Sequence, residues 1–265
     1  IMLSYKDLKK SKHFQLISTV PEEFLSPQKI ENFLLAAKEE DEKKLVLASK
    51  PYSIIIEPTN SCNLGCPLCP TGLGIKTRNK GLLKLDEFKE LIDQVKENAI
   101  EIFLQNWGEA TLLKNLPEMI NYAAKNNIWV SLSTNFSIKY KNDFLERLMN
   151  SGLAVLHVDI DGTTQEAYSQ YRIKGDLNLV LSNLKECIEL KKKLNVKYPV
   201  IETEMIVLKS NEHQIDEYIE LNNSLGVDRY NLHKVQVNMA EKESVKWLPK
   251  NKDYVYDSYK TKKKS

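Results

Sequence analysis

No apolar run in the 265-residue chain approaches the ~20 residues that a membrane-spanning helix needs. Ile1 to Lys10 carries no apolar core of the kind found in a secretory leader, so neither an anchor nor export is expected. Arginine is scarce: Arg78, Arg147, Arg172 and Arg229 stand against 34 lysines. Lysine meets phosphate as a point charge, without the forked geometry of a guanidinium. Net charge is +2, so no overall field favours nucleic acid, and none is expected as a partner. The lysine excess reads as solvated helix faces. An arginine beside a strand end becomes informative for the same reason. Cysteine is scarce as well. Three of the four crowd into one loop, which is no disulfide framework and fits a reducing compartment, the cytoplasm. No repeat, low-complexity tract or domain-sized linker interrupts the chain.

What is present is ordinary in bulk, with 42% hydrophobic and 28% charged residues, and regular in order. Ile30, Phe33, Leu34 and Ala37 share one face of a predicted helix over 27–44, a leader expected to cover one end of the core. From residue 52 onward, strands and helices alternate. Strands are predicted at 52–57, 100–105, 128–133, 154–160, 200–208 and 229–235. Helices are predicted at 85–97, 115–126, 141–150, 177–194 and 212–225. Asp86 is the expected N-cap of the first of these, and Gly152 and Gly226 stand where helices should stop. Such alternation implies a parallel sheet. Eight units close a full barrel. Six predict an α/β fold of the open, partial TIM type, a (β/α)6 barrel. The expected division is an N-terminal helical leader over 1–50, a core over 51–240 and a short C-terminal tail over 241–265. The lysine run near the end reads as a frayed, solvated terminus.

The cysteine loop, Cys62-Asn63-Leu64-Gly65-Cys66-Pro67-Leu68-Cys69-Pro70, leaves the first predicted strand. Thiolates are soft ligands and suit zinc or iron–sulfur clusters. A structural zinc site needs four ligands, and no second ligand pair accompanies this loop. Cys187 sits within a helical pattern, where a thiol packs as a small hydrophobe. Three cysteines can hold three irons of a cubane and leave the fourth iron open to a small molecule. A zinc site completed by a distant histidine is the alternative that the residues leave open.

The other unusual polar groups fall at the carboxyl ends of the predicted strands, where parallel α/β barrels carry their sites. They are Gly108-Glu109, Ser133-Thr134-Asn135, Asp159 and Asp161, and Tyr171-Arg172 just beyond.

At the cysteine loop the chain resembles the radical S-adenosylmethionine (SAM) superfamily core. Val158-Asp159-Ile160-Asp161-Gly162 with Tyr168 and Tyr171-Arg172 resembles the branch that often carries a SPASM/twitch-type auxiliary cluster domain. The resemblance implies that Cys62, Cys66 and Cys69 hold a [4Fe–4S] cluster. It implies that Gly108 and Glu109 receive the SAM ammonium, and that Ser133 and Asn135 meet the ribose. Arg172 would pair with the SAM carboxylate, and Leu68 would offer apolar contact to adenine. Asp159 belongs to the same set, although Asp159 and Asp161 could instead cap backbone amides at the rim. A surface pair of Arg172 with Asp176 is the other reading of that arginine. Trp107 and Ala110 stand where many members have glycine and proline. Phe136 stands where glycine is common, and Leu68 where an aromatic residue is.

The activity implied is reductive cleavage of SAM to a 5′-deoxyadenosyl radical that abstracts hydrogen from a peptide or protein side chain, a sugar or a nucleoside. It would need a reductant such as flavodoxin or ferredoxin and protection from oxygen. Trp247-Leu248-Pro249 resembles the entry to the auxiliary domain. No cysteine follows it, so no second cluster is expected, and that domain is read as lost or cut away. The rival readings are a non-catalytic iron–sulfur or zinc module and a degenerate partner subunit. Glu202, Glu204, His233 and Lys234 are candidates for substrate-side proton transfer or for a structural role.

Overall fold

The computed structural model describes residues 4–75, 78–141, 143–238 and 242–260. The chain opens with α1 (Tyr5–Leu8) and α2 (Pro27–Asp41). There follow β1 (Ser53–Ile56), α3 (Leu85–Val95), β2 (Glu101–Leu104), α4 (Leu116–Lys125), β3 (Trp129–Thr134) and α5 (Phe144–Met149). Next come β4 (Val155–Asp159), α6 (Gln165–Tyr171), α7 (Leu177–Leu194), β5 (Val200–Val207), α8 (Ile215–Leu225), β6 (Arg229–Lys234) and α9 (Lys242–Val245). The described strands form one parallel sheet in sequence order, β1 to β6. It does not close: β1 pairs only with β2, and β6 only with β5. This is the expected open (β/α)6 barrel.

Side chains alternate across a strand, and here the two faces differ in kind. Ile102, Leu104, Val130, Leu132, Leu156, Val158, Ile201 and Met205 are buried against Phe88, Ile92, Met119, Ile120, Leu184 and Cys187 of the helices. The intervening positions Ser131, Ser133, His157, Asp159, Glu202 and Glu204 are polar. Parallel strands buried on both faces usually read as continuous hydrophobic runs. The polar inner face therefore marks a site rather than a core.

The leader covers the amino-terminal ends of the strands. Leu8, Ile17, Ile30 and Phe33 pack with Ile100, Trp129, Ala154 and Val155. Ser26 caps α2, its hydroxyl accepting the Lys29 N–H at 3.3 Å. The helix stops at Asp41, three residues short of expectation, because Lys43 turns at φ 52°. The buried Glu39 carboxylate then accepts the N–H groups of Ala48 and Ser49 at 2.8 and 3.1 Å.

Two further details differ from expectation. The cap of α3 is Lys84, with Asp86 inside the first turn, because the Glu87 carboxylate reaches back to the Lys84 N–H at 2.9 Å. Helix α6 occupies residues expected to be loop, its start capped by Thr164. The described part of the tail packs on the core: Trp247 lies edge-on against Tyr171 at 5.6 Å, and its carbonyl accepts the Lys209 N–H at 3.1 Å. The lysine run at 262–264 lies outside the described residues.

Candidate active site

A cavity of about 730 Å³ opens at the carboxyl ends of the strands. Cys62, Cys66 and Cys69 line it, together with Leu68, Gly108, Glu109, Ser133, Asn135, Asp159 and Arg172. The fold thus brings the residues expected to hold the cluster and SAM to one place.

The cysteine loop holds its shape through its own backbone. The Cys69 N–H donates to the Cys66 carbonyl at 3.1 Å, and the Gly65 N–H to the Ile173 carbonyl at 3.0 Å. Gly72 passes so close that an added Cβ would lie 2.2 Å from the Cys66 carbonyl oxygen. Donors approach the sulfurs: the Leu64 N–H stands 3.4 Å from Cys62 Sγ, Asn135 Nδ2 3.8 Å from it, and Arg172 Nη1 4.0 Å from Cys66 Sγ. Three soft donors in one polar-rimmed cavity, with N–H groups turned toward the sulfur, fit a cubane cluster well. Burial pushes the Cys66 thiol up to about 11 and raises Cys62, so ligation must displace protons from both.

Glu109 is buried, and its carboxylate ties two strand ends together. Oε1 accepts the Thr111 N–H and the hydroxyls of Thr111 and Thr134 at 3.1, 2.6 and 2.7 Å. Oε2 accepts one donor, the Asn135 N–H at 2.8 Å, and keeps acceptor capacity. The turn before it lies against the cysteine loop. The Glu109 N–H donates to the Ser61 carbonyl at 2.8 Å, and a Cβ on Gly108 would fall 1.7 Å from the Thr59 carbonyl oxygen. Trp107 and Ala110 therefore leave the turn intact, since the close approach is at Gly108.

Asn135 donates to Asn63 Oδ1 at 3.0 Å and accepts the Ser137 N–H at 2.9 Å. Phe136 adopts φ 52°, the left-handed conformation that glycine would take freely. The strain is offset by full burial of its ring, which packs on Tyr140 at 5.5 Å.

Arg172 does not pair with Asp176, which instead caps α7 by accepting the Leu179 N–H at 3.2 Å. It lies buried between two aspartates, with Nε 2.5 Å from Asp161 Oδ2 and Nη2 3.1 Å from Asp159 Oδ2. Asp161 also caps a backbone amide, accepting the Ile206 N–H at 2.6 Å. Burial raises Asp159 to about 7, against the pull of Arg172.

Glu204, His233 and Lys234 line the same cavity, while Glu202 does not. Sequence reasoning missed His157, whose Nδ1 lies 2.9 Å from Glu204 Oε1. A single histidine in an apolar strand carries no signal of a partner on the next strand. Burial alone would raise Glu204, yet the two imidazoles hold it down at about 2. Thr111 and Tyr140 were also missed; with Thr134 they form the hydroxyl layer behind Glu109, Tyr140 donating to Thr111 Oγ1 at 2.8 Å.

A partial barrel with three cysteines on the loop after its first strand defines a class. The chain matches the Radical SAM superfamily over residues 56–222 and belongs to it. This family uses a [4Fe–4S] cluster and SAM. The chain is 24% identical over 176 residues to mycofactocin maturase MftC of Mycobacterium tuberculosis, covering 66% of this chain and 43% of that protein. It is 24% identical over 186 residues to the PqqA peptide cyclase of Bradyrhizobium diazoefficiens, covering 70% and 47% respectively. It thus spans under half the length of these relatives. Among solved structures, Streptococcus suis SuiB bound to S-adenosylmethionine superposes with a TM-score of 0.64 at 15% identity, over 92% of this chain and 54% of that one. That likeness is one of fold. No helix among the described residues is long and apolar enough to cross a membrane.

Proposed function

We propose that the chain is the catalytic core of a radical SAM enzyme acting on a peptide. The observation that carries the reading is the convergence of Cys62, Cys66 and Cys69 with Glu109, Asn135 and Arg172 on one cavity. The three thiols would hold the cluster, which when bound would supply the electron for reductive cleavage of SAM. Glu109 receives the SAM ammonium through the free capacity of Oε2. Gly108 allows the turn to approach the cysteine loop. Ser133 and Asn135 meet the ribose, and Leu68 lies against adenine. Arg172 turns its remaining N–H groups toward the carboxylate, with Asp159 and Asp161 fixing the plane of the guanidinium. A peptide is favoured because one matched relative is a peptide cyclase. A low-potential carrier such as flavodoxin or ferredoxin reduces the cluster, and the cytoplasm is the fitting compartment. The division into a leader over 1–50, a core over 51–240 and a tail over 241–265 belongs to the same proposal.

The test is anaerobic reconstitution, iron and sulfide analysis, and chromatography for 5′-deoxyadenosine after reduction. About one cubane per chain and reductant-dependent 5′-deoxyadenosine are expected. A Cys66→Ala protein that keeps its full cluster content would sink the reading. Cluster without 5′-deoxyadenosine would favour a non-catalytic module.

A further inference from the structure

Strands β4, β5 and β6 bring a second ligand set together, sharing no residue with the cysteine loop. His157, Glu202 and Glu204 each offer a ligand atom, and these atoms lie within 4.8 Å of one another. His157 Nδ1 stands 2.9 Å from Glu204 Oε1 and 3.9 Å from Glu202 Oε1. His233 Nε2 stands 3.5 Å from the same Glu204 oxygen. We propose that His157, Glu202 and Glu204 form a divalent transition-metal site, of the zinc class, beside the reaction cavity, with His233 standing at its cavity side.

The spacings are the first argument. Hydrogen bonds between these groups would fall at about 2.7–3.2 Å, and two of the three separations exceed that range. The third, at 2.9 Å, lacks hydrogen-bond geometry: His157 Nδ1 is buried and makes no hydrogen bond. Metal bonds of about 2.0–2.2 Å in a tetrahedron set neighbouring donor atoms about 3.3–3.5 Å apart. The observed 2.9 and 3.9 Å from His157 Nδ1 to the two carboxylates bracket that value, so small side-chain movements would seat an ion.

Donor chemistry is the second argument. One imidazole and two carboxylates suit zinc and its neighbours better than calcium or magnesium, which favour oxygen alone. The surroundings resemble those of a metal ligand. Glu202 is also reached by Asn231 and by Arg229, whose Nε is 3.3 Å from Oε2. Such outer partners orient a ligating carboxylate. Parallel pairing supplies the frame, setting His157 opposite Glu202 and Glu202 opposite Arg229.

Position gives the ion a use. Glu204 and His233 line the cavity, whereas His157 and Glu202 do not. An ion held here exposes its remaining coordination position toward the cavity. It can bind and polarise a carbonyl or carboxylate oxygen of a substrate.

The experiment titrates Zn²⁺ into cluster-loaded, chelator-washed protein under anaerobic conditions, where iron already occupies the cysteines. Calorimetry and elemental analysis read the result. One zinc per chain beyond the iron is expected. His157→Asn and Glu204→Gln should each weaken binding at least tenfold with iron content unchanged. Absence of stoichiometric zinc in the wild-type protein overturns the proposal whether or not the variants fold. Zinc retained undiminished by both variants also overturns it. Iron content and 5′-deoxyadenosine, measured on the same samples, report separately on the cysteine site.

Discussion

Arg172 Nε sits 2.5 Å from Asp161 Oδ2, and the Asp161 side chain is fully shielded from solvent. The same aspartate accepts the Ile206 N–H. One carboxylate therefore joins α6's exit to β5 beneath the cavity. Breaking a buried ion pair leaves an uncompensated charge and costs about 3–5 kcal/mol. Asp161→Ala should lower stability by that order, read as a shift in the urea midpoint. Asp159→Asn should cost less, because Arg172 keeps Asp161, the closer partner that also holds the Ile206 N–H.

Gly108→Ala is expected to damage the site before the fold. The added Cβ would overlap the Thr59 backbone, so the 107–109 turn must lift from the cysteine loop. Overpacking of this kind costs about 1–3 kcal/mol. Cluster content after reconstitution should fall while circular dichroism stays near that of the wild-type protein. Full cluster content would show that the close approach does not support the loop.

Glu109→Gln keeps the shape and removes an acceptor. Four donors converge on the carboxylate, so an amide must turn its own N–H groups toward at least one of them. A buried donor left without an acceptor costs about 1–3 kcal/mol. The variant should unfold at lower urea and bind SAM at least tenfold more weakly, measured by equilibrium dialysis of cluster-loaded protein.

Lys29 gives a prediction in pH. It is buried at the foot of α2, its ammonium donating to the Asn127 carbonyl at 2.5 Å. Burial lowers it from the ordinary lysine value of 10.5 to about 8. Between those values the unfolded chain binds more protons than the folded one, so stability rises with pH. The wild-type protein should gain thermal stability relative to Lys29→Met as pH climbs from about 8 toward 10.5. A difference that stays flat over that window would contradict the assignment.

Much of this architecture was legible because each layer repeats a simple signal. The outward faces of β2 to β5 carry buried aliphatics, the helices carry apolar stripes, and Gly152 and Gly226 turn at φ 85° and 72° where helices end. The three thiols were legible because their spacing is local. What depended on contacts between distant residues was not. Helix α6 spans seven residues, too few to show a period. Asp176 is nearer to Arg172 in sequence than Asp161 is, and only packing makes the nearer one the helix cap and the farther one the ion-pair partner. His157 finds Glu204 through strand register, which no local pattern encodes.

All three thiols arise from one short connection whose outline is set by backbone hydrogen bonds and by the tight passage at Gly72. No sulfur is needed to staple one part of the barrel to another. Polypeptide maturation and inorganic assembly can then run as separate events, the first finished before the second begins. Losing the inorganic centre to air should leave an empty vessel that can be refilled, rather than an unravelled chain.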